Sequence, residues 1–268
     1  MVNTLQSTFE ESRLQAKNIT LAYQDTQITH GLSLDIPDKQ FTVILGPNGC
    51  GKSTLLRGLS KLLSPSEGKI CFDGKNLERY PRKELAKILS LLPQSAIAPT
   101  GITVHELVAR GRFPHQSFLR RWTLEDEKAV KDAIQATNIE GLLQQTVDSL
   151  SGGQRQRVWV AMALAQQTPY LLLDEPTTYL DIAHQIELLN LFRKLNREEN
   201  RTVVAVLHDL NHSCRYADHL IVMKSGAIIA QGSPKEIISE ALIHHVYGLH
   251  SIIIDDPLSH TPLIIPKS

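Results

Sequence analysis

The sequence predicts an α/β fold that carries a small antiparallel β part and an inserted helical part. Two runs, the largely apolar residues 41–45 and the continuously apolar residues 170–173, have the length of buried strands, and each is followed by residues suited to a ligand. Residues 14–37 mix alternation with β-branched side chains, which is typical of antiparallel strands. Residues 95–165 change to helical periodicity, so this stretch is an insertion in a chain that otherwise alternates strands and helices.

The composition limits the classes of protein to consider. At 268 residues the chain can form one large domain or a core with a subdomain. Its 28 basic and 28 acidic residues balance, and aromatic residues make up only 5%, which argues against nucleic acid as a partner. The three cysteines lack metal-ligand spacing and fit a reducing compartment. No apolar run approaches the roughly 18–20 residues of a membrane span and no signal peptide opens the chain, so we expect a soluble, cytoplasmic protein.

Two β segments follow a polar start. Residues 1–12 predict a loose lead-in. The runs 14–23 and 28–37, separated by a polar turn, predict an antiparallel pair that leads into the strand at 41–45. Tyr23 closes the first run. Its ring could stack on an adenine or could pack as strand tyrosines commonly do, and the pattern alone leaves both open.

Residues 46–54 match the pattern G-x-x-x-x-G-K-[ST] between the strand at 41–45 and a helix with one apolar side. A strand that turns through glycines into a helix directs backbone N–H groups and the positive end of the helix dipole at one point, where a polyphosphate belongs. Lys52 would reach the β- and γ-phosphates, and the Ser53 hydroxyl would help to bind Mg²⁺. We call this segment the phosphate loop; it consists of Gly46, Pro47, Asn48, Gly49, Cys50, Gly51, Lys52, Ser53 and Thr54.

Gln94 lies just beyond a predicted core strand. After the first helix come a strand at 69–75, a short helix at 82–87 and a buried strand at 88–92. A glutamine at the exit of a core strand can reach a metal-bound water, but it can equally be an ordinary loop residue. Its position alone does not decide between these two interpretations.

The helical insertion contains predicted helices at 103–110 and 123–137. Between them, residues 111–122 are basic, contain a proline and carry aromatic side chains. Exposed aromatics and arginines in this segment would form a contact surface, and a solvated loop is the alternative.

A second candidate anion site is the sequence Leu-Ser-Gly-Gly-Gln at residues 150–154. Ser151 is placed to cap the helix that follows, and Gly152 and Gly153, next to Gln154, leave backbone N–H groups open to an anion. Because glycine costs a helix about 1 kcal/mol relative to alanine, a plain capped helix would not favour two of them. Either both sites bind one nucleotide, or each supplies half of two nucleotides shared between two copies of the chain.

Two adjacent carboxylates, Asp174 and Glu175, follow the apolar run at 170–173. Ligands of open α/β sheets collect at the carboxyl ends of the strands. We therefore expect Asp174 to hold Mg²⁺ and Glu175 to orient and deprotonate an attacking water. A surface acidic pair is the alternative, but such pairs seldom follow a run of apolar residues.

The remaining chain returns to alternating helices and strands. The core strand 202–207 ends at His208, which would share a sheet edge with the two carboxylates and is therefore a candidate for the same site. A strand pair at 219–232 follows, and a tail, residues 248–268, has two apolar runs that we expect to pack on the core. A helix from near Asp181 has a predicted buried stripe that consists of Ile182, Ile186, Leu189, Phe192 and Leu195.

The chain resembles the ATP-binding subunit of ATP-binding-cassette (ABC) transporters. The resemblance rests on a set of motifs in the same order: the phosphate loop, Gln94, residues 150–154, the two carboxylates and His208. Leu-Ser-Gly-Gly-Gln is the signature of that family. The resemblance covers residues 13–247. It implies a RecA-like P-loop NTPase core with a small antiparallel β subdomain, a helical subdomain inserted at about 95–165, and a C-terminal tail, 248–268, packed on the core.

The resemblance also implies roles for individual residues. Tyr23 would stack on adenine, Gln94 would form the Q-loop, residues 178–181 would form the D-loop, and His208 would contact the γ-phosphate. ATP and Mg²⁺ would be the cofactors. In a head-to-tail homodimer, the signature of one copy would close over the phosphate loop of the other, with two ATP molecules between them. The D-loop, Thr-Tyr-Leu-Asp, departs from the commoner Ser-Ala-Leu-Asp.

A narrower resemblance links residues 46–51, 108–115, 177–185 and 254–257 to the cassettes of bacterial ferric-siderophore importers. It implies a peripheral ATPase on the cytoplasmic face of the inner membrane. Its partners would be two membrane permease subunits and, indirectly, a periplasmic siderophore-binding protein; nucleic acid would not be a partner. Because such a cassette never touches its cargo, another metal chelate such as vitamin B12 or haem is an alternative. A soluble cassette ATPase without a transport partner is a further alternative.

Overall fold

The computed structural model describes residues 12–116 and 122–267, so nearly all of the predicted lead-in at 1–12 lies outside the described residues. The strands are β1 Leu14–Tyr23, β2 Thr26–Ile36, β3 Phe41–Leu45, β4 Glu67–Phe72, β5 Lys75–Asn76, β6 Leu89–Leu92, β7 Tyr170–Asp174, β8 Thr202–Val206, β9 His219–Lys224, β10 Ala227–Gly232, β11 Ser251–Asp255 and β12 Pro262–Pro266. The α-helices are α1 Lys52–Leu59, α2 Arg82–Leu85, α3 Val104–Ala109, α4 Leu124–Ala136, α5 Gly152–Ala165, α6 Ile182–Glu199, α7 Leu210–Tyr216, α8 Pro234–Ile237 and α9 Glu240–Tyr247. Short 3₁₀ helices lie at Leu77–Arg79, Arg110–His115, Glu140–Leu142 and Val147–Ser149.

The main sheet has six strands in the order β10-β9-β3-β8-β7-β6. All of its pairs are parallel except β10 with β9 at one edge. Strands β3, β7 and β8 are buried along their whole length, as expected for parallel strands covered on both faces. Asp174 and Ile44 both pair with Val206, so the carboxyl ends of these three strands lie at one level. This edge of the sheet carries the candidate site.

A second sheet, with four strands in the order β2-β1-β4-β5, is antiparallel throughout. Helix α1 packs between the two sheets through Leu55, Leu56 and Leu59, which are fully buried. A Cβ atom at Gly58 would lie 2.9 Å from the side chain of Leu21 in β1, so glycine permits the close approach of helix and sheet. The predicted α/β class, with its antiparallel β part, is confirmed.

The helices α3, α4 and α5 pack together in the stretch between β6 and β7. Arg112, in the 3₁₀ helix after α3, is buried and forms an ion pair with Asp126 of α4 at 2.9 Å. It also donates to the carbonyl of Ala165 at the end of α5, at 2.9 Å. The prediction of exposed arginines in this segment is therefore wrong for Arg112, because its side chain joins three helices.

The aromatic residues around that 3₁₀ helix lie at the surface. Phe113 is 59% exposed and Trp122 is 44% exposed, which agrees with the prediction of exposed aromatics. Residues 117–121 of the predicted contact surface lie outside the described residues.

Helix α6 buries only part of the predicted stripe. Leu189, Phe192 and Leu195 are buried, but Ile182 is 71% exposed and Ile186 is only half-buried. The prediction is wrong for Ile182 because the first turn of α6 lies at the rim of a surface cavity rather than over the main sheet.

The tail forms a hairpin in which β11 and β12 pair antiparallel. Ile264 on its inner face is buried with the core, whereas Ile252, Ile254 and Ile265 on its outer face are exposed. The hairpin rests against α7 and α9. Within the described residues, no helix is both long and apolar enough to cross a bilayer.

Candidate functional site

A cavity of about 440 Å³ lies at the carboxyl ends of β3, β7 and β8. The phosphate loop forms one wall, and Gln94, Glu175 and His208 form the other. The lining residues are Ile28, Asn48, Gly49, Gly51, Lys52, Ser53, Thr54, Gln94, Glu175 and His208. Most of the residues predicted for an ATP site thus converge on one space, although they come from positions more than 150 residues apart.

The phosphate loop needs glycine for geometric reasons. Gly51 has φ 102° and Gly49 has φ 76°, in the left-handed region that favours glycine. A Cβ atom at Gly46 would lie 2.2 Å from the carbonyl oxygen of Met223. Gly51 precedes α1 without a side-chain cap, so the first N–H groups of this helix remain available to an anion.

Lys52 is the buried cation of the cavity. Its ammonium group donates to the carbonyl oxygens of Gly46 at 2.8 Å and Pro47 at 3.0 Å. The side chain is only 5% exposed, because it lies against the phosphate loop. This arrangement directs one positive charge at the place where the backbone N–H groups converge.

Ser53 and Asp174 are joined directly. The Ser53 hydroxyl donates to Asp174 Oδ1 at 2.8 Å, and the backbone N–H of Gln94 also hydrogen-bonds this carboxylate. Burial raises the pKa of Asp174, and the neighbouring charge of Glu175 raises it further. A hydroxyl, a carboxylate and an amide side chain are the oxygen donors that suit a hard divalent cation.

The Asp174→Asn variant is expected to be more stable than the parent when no nucleotide is present. A raised pKa means that folding disfavours the ionised form, so the carboxylate costs stability above the folded pKa. This cost declines as pH falls from the folded pKa and is gone below the unfolded pKa. At neutral pH the melting temperature should rise by about 2–4 °C. Differential scanning fluorimetry measures it, with Asp132→Asn on the exposed side of α4 as the control. A lower melting temperature than the parent's would contradict the expectation.

Glu175 and His208 are in contact on the wall that faces the phosphate loop. Glu175 Oε1 lies 2.7 Å from His208 Nε2, and Thr178 Oγ1 donates to Glu175 Oε2 at 3.3 Å. Glu175 has φ 53°, an uncommon conformation for a non-glycine residue. The backbone after β7 therefore turns sharply, which places the Glu175 side chain in the cavity while Asp174 stays buried.

Four predicted residues of the phosphate loop and strand end do not line this cavity, namely Gly46, Pro47, Cys50 and Asp174. Neither does Tyr23. Its hydroxyl accepts a hydrogen bond from Arg57 at 3.0 Å, and its ring is 40% exposed at the end of β1. Ile28 of β2 lines the cavity and was not predicted. A single isoleucine in an antiparallel strand gives no sequence signal that distinguishes it from a packing residue.

A second cavity, of about 410 Å³, lies beside residues 151–154. Ser151 and Gln154 form a reciprocal capping box, in which the Ser151 hydroxyl accepts from the Gln154 N–H at 3.3 Å and Gln154 Oε1 accepts from the Ser151 N–H at 3.0 Å. The cap predicted for Ser151 is thus present. The lining residues are Ser151, Gly152, Gly153, Gln154, Arg157, Tyr179, Leu180, Asp181 and His184.

The two glycines of this segment are in contact with the turn that follows Glu175. A Cβ atom at Gly152 would lie 3.3 Å from Tyr179 Cβ, and one at Gly153 would lie 3.2 Å from the Leu180 side chain. Arg157 also lines the cavity and was not predicted; a cation one turn into a helix is too common to single out. The two cavities share no lining residue.

The chain matches the family model described as "ABC transporter" over residues 29–178. It is 56% identical over 255 residues to the ferric enterobactin transport ATP-binding protein FepC of Escherichia coli (strain K12), a match that covers 95% of this chain and 94% of that protein. It is 47% identical over 253 residues to the achromobactin transport ATP-binding protein CbrD of Dickeya dadantii (strain 3937), with 94% of each chain covered.

The fold is also similar to a solved structure, the dimeric post-hydrolysis state of the ATP-binding cassette MJ0796 bound to ADP and Pi. The TM-score is 0.74 at 29% identity, and the match covers 82% of this chain and 98% of that chain.

Proposed function

The chain belongs to the ABC transporter family as an ATP-binding subunit and ATPase, and we propose that it powers the import of a ferric siderophore. The observation that carries the proposal is the 56% identity to a ferric enterobactin transport subunit over 95% of the chain. That match extends well beyond residues 29–178, the part of the chain that the family model covers.

ATP binds with its triphosphate in the phosphate loop. The N–H groups at the start of α1 and the ammonium group of Lys52 neutralise the phosphate charge. The adenine stacks on Tyr23, whose exposed ring stands at the end of β1 and is fixed through its hydroxyl by Arg57.

Mg²⁺ would be held by Ser53 and Asp174, with Gln94 beside them. The 2.8 Å contact between the Ser53 hydroxyl and the Asp174 carboxylate, and the buried charge of this carboxylate, fit such an ion. When bound, the ion neutralises negative charge on the β- and γ-phosphates. Within the described part of the chain, no group of three or more His, Cys, Asp or Glu side chains is suited to hold a metal ion.

Hydrolysis uses the pair formed by Glu175 and His208. The Glu175 carboxylate orients a water and accepts its proton as the water oxygen attacks the γ-phosphorus; the bond to the bridging oxygen breaks and ADP leaves. His208 holds the carboxylate at 2.7 Å and presents its ring to the γ-phosphate from the opposite side of the cavity.

The second cavity completes the site of another copy of the chain. Cassettes of this family dimerise, and the segment at 151–154 shares no cavity with the phosphate loop of its own chain. In a head-to-tail homodimer, Ser151, Gly152, Gly153 and Gln154 of one copy therefore bind the γ-phosphate held by the other. We therefore favour the second of the two possibilities that the sequence left open.

The membrane partners are two permease subunits, with a periplasmic siderophore-binding protein acting on the far side. We place the permease contact on the helical subdomain, within the cassette that spans 13–247, where the exposed Phe113 and Trp122 border a surface cavity of about 660 Å³. The chain then works as a peripheral subunit on the cytoplasmic face of the inner membrane. The tail at 248–268 packs on the core of the same cassette.

Uptake in a strain that retains the permease but lacks its own ATPase tests the proposal. The parent chain should restore uptake of iron-55 supplied as ferric enterobactin, and should copurify with the permease. The Glu175→Gln variant should assemble but not restore uptake. Restoration of vitamin B12 or haem uptake alone would reassign the cargo, and a failure to bind any such permease would favour a soluble ATPase.

A further inference from the structure

The tail hairpin, β11 and β12, makes directional polar contacts with one short helix, α7. The Asn211 side chain donates through Nδ2 to the carbonyl oxygen of Ile264 at 3.2 Å, and its Oδ1 accepts the N–H of the same residue at 2.7 Å. One amide side chain thus satisfies both backbone groups of a strand residue. Such a two-point contact fixes the orientation as well as the distance of the two elements.

A second contact lies one turn further along α7. Arg215 donates to Asp256 Oδ2 at 2.9 Å, in the turn that joins the two strands. The other oxygen of Asp256 accepts the N–H groups of Leu258 at 2.8 Å and Ser259 at 3.2 Å, so this carboxylate is built into the hairpin turn. Because Asn211 and Arg215 are four residues apart on a helix, both contacts leave from one face of α7.

Helix α7 begins immediately after the candidate site. Asp209 caps it by accepting the N–H of His212, and the residue before the cap is His208, which lies 2.7 Å from Glu175. Only the cap residue and one helical residue separate the histidine from Asn211. Any rotation or shift of this seven-residue helix would therefore move the imidazole ring.

We infer that the tail hairpin clamps α7 and thereby sets the position of His208, with Asn211 and Arg215 as positioning residues for hydrolysis. This inference rests on the proposed role of His208. Apolar packing of Ile264 alone would hold the hairpin on the core without specifying the orientation of α7. The two hydrogen bonds of the Asn211 amide and the ion pair between Arg215 and Asp256 specify that orientation. The tail thus acts on the reaction although none of its residues lines the cavity.

The test compares steady-state ATP hydrolysis by the full-length parent and the Asn211→Leu variant, well below their melting temperatures. The variant should lose roughly tenfold in kcat with KM for ATP within twofold of the parent's, since a small displacement of His208 disturbs the group that holds Glu175, whereas ATP binding depends mainly on the phosphate loop. Ile252→Thr, on the exposed outer face of the same hairpin, is the matched control and should hydrolyse ATP as the parent does.

A second measurement separates positioning from a loss of stability. The Cε1–Hε1 NMR signal of His208, assigned from its absence in His208→Ala, should shift or broaden in Asn211→Leu and stay unchanged in Ile252→Thr. An unchanged kcat, or a lower kcat with an unchanged His208 signal, would overturn the inference. Full activity in His208→Ala would instead refute the proposed role of the histidine, so the two failures are distinguishable.

Discussion

The Glu175→Gln variant is expected to bind ATP as tightly as the parent, to hydrolyse it at least a hundredfold more slowly and to accumulate as a dimer. A glutamine preserves the shape of the side chain but cannot accept the proton of the attacking water, and general-base catalysis of this kind contributes roughly 10²–10⁴-fold. The closed dimer should persist because the triphosphate that joins the two copies is not consumed.

Phosphate release measures the rate, and light scattering of a size-exclusion peak with and without ATP measures the dimer. Glu198→Gln, near the end of α6 and exposed to solvent, is the matched control, and it should hydrolyse ATP like the parent and return to its resting oligomeric state. Normal hydrolysis by Glu175→Gln would remove Glu175 from the role of base. A variant that stayed monomeric in saturating ATP, even with the permease present, would contradict the shared site.

The Lys52→Ala variant is expected to lose tight ATP binding. Its ammonium group is the buried cation of the phosphate loop, and a charge-assisted hydrogen bond contributes about 1.5–3 kcal/mol, so the dissociation constant for ATP should increase by roughly 10- to 100-fold. Removing the side chain also takes away the ammonium donor to the carbonyl oxygen of Gly46 and leaves that of Pro47 with the Cys50 N–H, which loosens the loop itself.

Isothermal titration calorimetry with ATP and magnesium measures this loss directly. Lys131→Ala removes an exposed lysine of α4 with the same change in net charge, and it should leave the dissociation constant unaltered. If both variants bound ATP equally well, the affinity would depend on the backbone N–H groups of the loop rather than on Lys52.

The local sequence pattern predicts three features of the structure. They are the strand that leads into the phosphate loop, the strand that ends at Asp174 and the cap at Ser151. A buried parallel strand is continuously apolar, a phosphate loop requires glycines at fixed spacing, and a capping residue precedes its helix directly. These features depend on neighbours within about ten residues, so the amino-acid sequence alone determines them. The edge at which Asp174, Glu175 and His208 meet follows as well, because parallel strands end on one side of a sheet.

Side-chain partners across the fold could not be predicted in this way. Four features depend on which distant elements pack together. They are the exposure of Ile182, the burial of Arg112, the contact between Glu175 and His208, and the contact of Asn211 with the tail. Periodicity states that a helix has an apolar face, but only the surrounding elements decide how much of that face is covered. Burial and hydrogen-bond partners are properties of the folded contacts, and the tertiary structure therefore decided which predicted residues line the site and what holds them there.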